Sequence, residues 1–148
     1  MLDFDPTESA CFLVGRVAHA LKIRVQEFLD EAAIPMSAEE ISILTVIAHL
    51  DKPPQMKPLA GKLGRDPTTV SRQVAGLEKA GLVERLPCPD DGRATVVRVT
   101  KEGAKLVKKT IPLTLALRGR TMKGISKADA KTAVATLSRM LTNLKDET

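Results

Sequence analysis

The stretch from residue 64 to residue 100, GRDPTTVSRQVAGLEKAGLVERLPCPDDGRATVVRVT, constrains the fold more than any other part of the chain. Asp66-Pro67 is a helix start: the aspartate serves as N-cap, and the proline takes the first helical position, where its missing N–H is no loss. Gly81 ends that helix. VERLP and ATVVRVT are rich in β-branched residues and read as two strands, and the CPDDGR between them reads as a turn. Just upstream, residues 55–63 read as a short helix that Gly64 leaves in a left-handed conformation. Leu59, Ala60 and Leu63 on this helix are placed to pack against Val70 and Val74 on the next. Two helices across a tight turn, followed at once by a hairpin, define a winged helix-turn-helix.

The flanking segments are helical. Residues 8–31 carry Leu13, Val17, Ala20, Leu21, Val25, Phe28 and Leu29 at helical spacing, which predicts one long amphipathic helix. In MSAEEI, Ser37 is an N-cap, Glu40 its capping-box partner, and Met36 is placed to staple against Ile41. The ISILTVIAHL that follows is apolar almost all round, which predicts a buried helix ending before Pro53-Pro54. Thr100 caps a fifth helix beginning KEGAKLVKK, which Pro112 is expected to kink or interrupt. Ser126 caps a sixth, where Ala130, Val134, Leu137, Leu141 and Leu144 step by four and three, a coiled-coil-like seam. A helix of about 24 residues is roughly 36 Å long, more than so small a core covers. Helices near both ends are therefore expected to pack against a second copy, since two-fold dimers are the commonest oligomer; packing within one chain is the plainer alternative. The expected fold class is mainly α with a small β-hairpin wing. Residues 1–148 read as a single domain, with a winged helix-turn-helix lobe at 36–100 and dimerisation helices at 8–31 and 101–145.

The central helix carries the chemistry. With Val70 as the origin of a helical wheel, Val74 and Leu77 lie within about 40° and define the buried stripe. Thr68, Arg72, Ala75 and Lys79 point away, with Thr69, Gln73 and Gly76 on one flank, and Thr68, Thr69, Ser71, Arg72 and Gln73 are the DNA-binding candidates. In the major groove an arginine fits the guanine edge and a glutamine the adenine edge. The wing adds Arg85 and Arg98 on its strands and Arg93 at its tip, where a narrow minor groove attracts a guanidinium. Asp91 is placed to hold Arg93 by a charge-assisted hydrogen bond. Charge agrees: between Met56 and Lys101 nine basic residues face five acids, so this third holds +4 of the chain's net +5. Such an excess is the footprint of a polyanion binder. A solvated basic helix and a plain surface turn would give parts of this pattern, but not all of it together.

LAGKLGRDPTTVSRQVAGLEKAGLV, the wing PDDGRATVVRVT with Asp91-Gly92-Arg93, and the Thr100-Lys101-Glu102-Gly103 that follows resemble the MarR family of winged-helix bacterial transcription regulators. The resemblance covers nearly the whole chain. It implies a homodimer joined through its end helices, binding double-stranded DNA at a pseudo-palindromic operator, and usually repression relieved by a small-molecule inducer or an oxidant. It places an inducer crevice between dimer core and lobe, where Arg16, His19 and Arg24 on the first helix are the candidates to meet a carboxylate, with a solvated or interface side chain the favoured alternative for each. The chain has no Trp or Tyr and three Phe, so aromatic stacking on such a ligand is scarce. The family also implies a redox reading for Cys11 near the start of the first helix. Tyrosines that support such a thiolate are missing, and a buried or inert thiol is the favoured expectation. Cys88, between prolines beside the wing, is expected to be exposed.

Other classes fall away. There is no G-x-S-x-G, no phosphate-cradling glycine loop and no H-E-x-x-H, so no enzyme activity and no cofactor are expected. His19 and His49 are the only histidines, a surface and a core residue by position, and no metal site is expected. No apolar run approaches the roughly 20 residues that span a bilayer. The acidic N-terminus lacks a basic leader, and the two distant cysteines suit a reducing compartment, so the expected place is the cytoplasm. The alternatives to a ligand-released repressor are a thiol-based redox regulator acting through Cys11 and a winged-helix protein-interaction module without DNA binding.

Overall fold

Local signals set most element boundaries in the computed structural model, which describes residues 5–146. The chain forms two compact units, one running up to Leu113 and the other from Thr114.

In the first unit, a short 3-10 turn at Pro6–Glu8 leads into α1, Ala10–Glu31, capped by Ser9, whose hydroxyl accepts the Phe12 N–H at 3.2 Å. Helix α2, Ala38–His49, begins at the expected capping box: Ser37 Oγ accepts the Glu40 N–H at 3.1 Å, and Glu40 Oε2 accepts the Ser37 N–H at 2.8 Å. Helix α3, Met56–Leu63, ends at Gly64 with φ of 62°, where any side chain would be strained. Helix α4, Pro67–Lys79, follows, and Gly81 at φ 72° turns the chain into the hairpin.

Strands β1, Val83–Pro87, and β2, Thr95–Val99, pair antiparallel from Val83 opposite Val99 to Pro87 opposite Thr95. The loop before α3 pins the hairpin's outer edge: Gln55 bridges Val96, and the Val97 N–H donates to the Pro54 carbonyl at 2.9 Å. The core is aliphatic. Leu29, Ile43, Leu44, Leu59, Val70, Val74, Leu77, Val83 and Val97 are fully enclosed, so α2, α3, α4 and the hairpin share one apolar interior.

Helix α5, Lys101–Thr121, is capped by Thr100, whose hydroxyl accepts the Gly103 N–H at 3.1 Å. Pro112 lies inside this helix, which continues past it for nine residues rather than stopping. The second unit holds the end of α5, a turn with Gly124 at φ 79°, and α6, Lys127–Asp146. Ser126 caps α6, accepting the Asp129 N–H at 3.0 Å and donating to Asp129 Oδ2 at 2.7 Å. The seam of α6 is open: Val134, Leu137, Leu141 and Leu144 are 65, 42, 61 and 68% exposed.

Three expectations need correction. His49 is exposed rather than in the core, because α2 is not buried all round: it lies opposite the stripe of Ile43, Leu44 and Ile47. Cys88 is buried rather than exposed, its sulfur accepting the Gln55 Nε2–H at 3.7 Å where the loop meets the wing root. Cys11 is exposed, which overturns burial but not inertness, because α1 carries no buried residue before Leu29.

Candidate nucleic-acid interface

Asp66 Oδ1 accepts the Thr69 N–H at 3.0 Å, which fixes the start of α4 and satisfies one of its free donors. Val70, Val74 and Leu77 are fully buried, and α4 packs on α2 and α3 through them. That anchoring decides what faces outward. Thr68, Arg72, Ala75 and Lys79 are exposed, a strip of hydroxyl, guanidinium, methyl and ammonium along one side. Thr69, Ser71 and Gln73 are half-buried, and the Gln73 Oε1 is itself enclosed without a hydrogen-bond partner. The outward chemistry of the helix is thus carried by Thr68 and Arg72, with Gln73 turned partly into the lobe.

The three wing arginines have different surroundings. Arg93 is exposed at the tip and makes no ion pair among the described residues. Asp91 does not hold its guanidinium. The Asp91 carboxylate instead accepts the Arg93 backbone N–H at 3.0 Å, and the Asp91 carbonyl accepts the Ala94 N–H at 3.0 Å, so the aspartate shapes the turn. Arg98 is paired across the hairpin with Glu84, its register partner, through Nε at 3.0 Å and a terminal nitrogen at 2.9 Å. Arg85 faces α4. A terminal nitrogen donates to the Ser71 carbonyl at 3.2 Å, Nε lies 3.6 Å from Glu78 Oε2, and the backbone N–H donates to Glu78 Oε1 at 3.3 Å.

Arg65, in the turn between α3 and α4, is a basic residue that sequence reasoning passed over. It is half-buried, with one terminal nitrogen enclosed and unpartnered. The hydrogen bond from the Lys22 ammonium holds the Glu39 carboxyl below its ordinary value, burial opposes that, and the Arg65 charge adds a smaller pull. Glu78 and Glu84 were also passed over as the acids that engage two of the wing arginines. The spacing of Ser71 and Glu78, seven residues and so two turns apart on one helix face, was the available signal.

On α1, Arg16, His19 and Arg24 are all exposed, and Arg24 pairs with Glu27 one turn on at 2.7 Å. Cys11 stands exposed at the second position of the same helix. No helix among the described residues is long and apolar enough to cross a membrane.

Comparison with known proteins completes the picture. Residues 36–95 match the family model described as MarR family. An uncharacterized HTH-type transcriptional regulator from Mycobacterium bovis is 33% identical over 112 residues, which span 73% of this chain and 72% of that protein. The HTH-type transcriptional repressor IacR of Pseudomonas putida is 35% identical over 74 residues, 50% of this chain and 42% of the repressor. The crystal structure of CouR from Rhodococcus jostii bound to p-coumaroyl-CoA has a TM-score of 0.81 at 25% identity, covering 90% of this chain and 92% of that one.

Proposed function

The chain belongs to the MarR family of DNA-binding transcription regulators, and from that membership we propose a homodimeric repressor that binds a pseudo-palindromic operator and is released by a small ligand. It acts by occupying DNA and not by catalysis. The observation that carries the proposal is the lobe's outward chemistry. Thr68 and Arg72 project from a helix locked by three fully buried residues, and the same lobe presents on its wing an Arg93 that makes no ion pair among the described residues.

In this reading α4 enters the major groove, with Thr68, Thr69, Ser71, Arg72 and Gln73 nearest the bases and Arg72 reading an edge. Arg93 reaches the adjacent minor groove, on a turn shaped by Asp91. A two-fold dimer sets two such helices about 34 Å apart, one turn of duplex. The uncovered apolar residues of α1 (Phe12, Leu13, Val14, Val17 and Ile23) and those of α6 support that dimer. The cytoplasm, where the DNA is, is the place of action.

Repression is supported by the likeness to IacR, and a ligand by the likeness to CouR, whose structure holds an acyl-CoA. Arg16, His19 and Arg24 are the candidate cations for an anionic ligand. A ligand releases DNA only to the extent that it binds the non-competent arrangement more tightly. The exposure of Cys11 favours a second reading, in which oxidation of that thiol releases DNA.

The test is selection of duplexes from a random library by the purified protein, then anisotropy titration at several salt concentrations. A selected palindrome bound as a dimer, with log K falling by about 0.9 per neutralised phosphate, is expected. No preference for any duplex at low salt refutes the reading and leaves a protein-interaction module. Loss of binding in peroxide, abolished by Cys11→Ser, is what the redox reading requires.

A further inference from the structure

Arg85 and Arg98 both lie on the wing and both count toward its charge, yet neither is free, and Arg85 is tied to the recognition helix itself. Ser71 and Glu78 lie two turns apart on one face of α4, a span of about 10 Å. One arginine on β1 touches both. Its guanidinium donates to the Ser71 carbonyl at 3.2 Å, its Nε lies 3.6 Å from Glu78 Oε2, and its own N–H reaches Glu78 Oε1 at 3.3 Å. The Arg85 and Glu78 side chains are 32 and 40% exposed, so water screens the pair only in part. Contacts at two heights of the helix resist both its sliding along the hairpin and its rotation against it. A guanidinium suits this because its fork offers several donors in fixed directions, where an ammonium is a single point.

We propose that Arg85 and Glu78 form a brace that sets the angle of α4 against the wing, making Arg85 a positioning residue for base readout rather than a phosphate contact. The proposal rests on the DNA-binding reading above and refines it. Arg72 on α4 and Arg93 on the wing must reach neighbouring grooves together, so the brace transmits the position of one to the other. Base edges demand a closer fit than phosphates, which any cation nearby satisfies. The brace therefore acts on sequence preference and not on charge.

The test compares full-length wild type, Glu78→Ala, Arg85→Met and Arg85→Lys. Each is titrated against a duplex selected by the wild type and against a random duplex, over a range of salt. For Glu78→Ala, affinity for the selected duplex should fall roughly tenfold, the equivalent of one lost charged hydrogen bond. Random-duplex affinity should not fall, since the charge removed is negative. Arg85→Met should lower the selected affinity at an unchanged salt slope. If Arg85 instead leaves Glu78 to grip phosphate, the sign reverses: Glu78→Ala binds every duplex more tightly, and Arg85→Met flattens the slope by about 0.9. Either of those results overturns the proposal. Where a variant fails to melt cooperatively, Arg85→Lys decides: it keeps the charge but cannot serve Ser71 and Glu78 together, so preference falls for a brace and persists for a phosphate contact. Wild type that binds no duplex refutes the DNA-binding reading itself, and the brace with it.

Discussion

Gly103 is the tightest point in the lobe, and replacing it with alanine is the sharpest test of how the wing is joined to α5. A Cβ there would lie 2.1 Å from the Leu82 carbonyl oxygen and 2.9 Å from Val99 Cγ1. The first obstacle is backbone, so no flexible side chain can swing aside. Carbon and carbonyl oxygen approach no closer than about 3.3 Å, so the first turn of α5 must retreat by about 1 Å. That retreat pulls on the Thr100 N–H bond to the same Leu82 carbonyl, 3.1 Å, and on the Thr100 hydroxyl, which donates to Gly81 O at 2.7 Å while capping the helix. Overpacking of this kind costs about 1–3 kcal/mol, and alanine's higher helix propensity offsets up to about 1 kcal/mol of it. Because the obstacle is backbone, the cost lies at the upper end of that range, and the net loss of about 2 kcal/mol lowers the melting midpoint by roughly 4–8 °C in a chain of this size. The assay is thermal unfolding followed by helical circular dichroism, at one fixed protomer concentration because dimerisation is coupled to stability. Gly61→Ala is the control, since nothing lies within 4 Å of its Cβ. A Gly103→Ala protein that melts at or above the wild-type midpoint would refute the close approach.

Four further outcomes are expected. Arg93→Ala should weaken selected and random duplexes alike and reduce the salt slope by about 0.9, read by anisotropy; an unchanged slope would remove Arg93 from the interface. Arg72→Ala should cost about 1–3 kcal/mol on the selected duplex and relax preference at one base pair in each half-site; a uniform loss over all sequences would make it a phosphate clamp. Leu141→Glu puts a charge on the open seam of α6 and should shift the protein from dimer to monomer in sedimentation analysis; an unaffected dimer would show that this seam is not used. The lowered Glu39 carboxyl contributes stability that is present above its ordinary value of 4.5 and is lost as pH falls through the lower folded value. The stability difference between wild type and Glu39→Gln should therefore shrink in denaturant titrations taken below pH 4.5, and a difference that grows there would contradict the Lys22 pairing.

What the sequence made legible is what acts over three or four residues. Ser37 with Glu40, Asp66 with Pro67, Thr100 and Ser126 each satisfy helix N–H groups within one turn, so the signal and its partner are read together. Val70, Val74 and Leu77 repeat at the helical period, and the buried side of α4 followed directly, which in turn fixed the outward Thr68 and Arg72. The strand VERLP ends where it was read to end, because prolines and the aspartate turn bound it. The partners of Arg85 and Arg98 were not legible, because they depend on strand register and on how closely β1 approaches α4. The thiols were misplaced for a related reason. Cys88 meets Gln55, 33 residues away in sequence, and Cys11 sits on the exposed first turns of α1, which bury no residue before Leu29.

Those pairings change what the charge count means. The middle third holds nine cations, yet Arg85 and Arg98 are engaged by Glu78 and Glu84, so each pair is close to neutral seen from outside. Asp66 and Asp91 accept backbone N–H groups at the start of α4 and on the wing turn but keep their charge, as does Asp90 beside Asp91. The field left for a polyanion comes from Lys57 and Lys62 on α3, Arg65 in the turn, Arg72 and Lys79 on α4, Arg93 at the wing tip, and Lys101 at the start of α5. Five of those seven belong to the helix-turn-helix and one to the wing tip, so the excess is concentrated on the elements that carry the candidate base-reading residues. Since each neutralised phosphate contributes about 0.9 to the salt slope, these seven cations together contribute at most about 6 to it. A steeper dependence would mean either that Lys52, beside the root of the wing, adds to the set, or that one of the internal pairs opens on DNA and the wing is rebuilt in binding rather than presented ready-made.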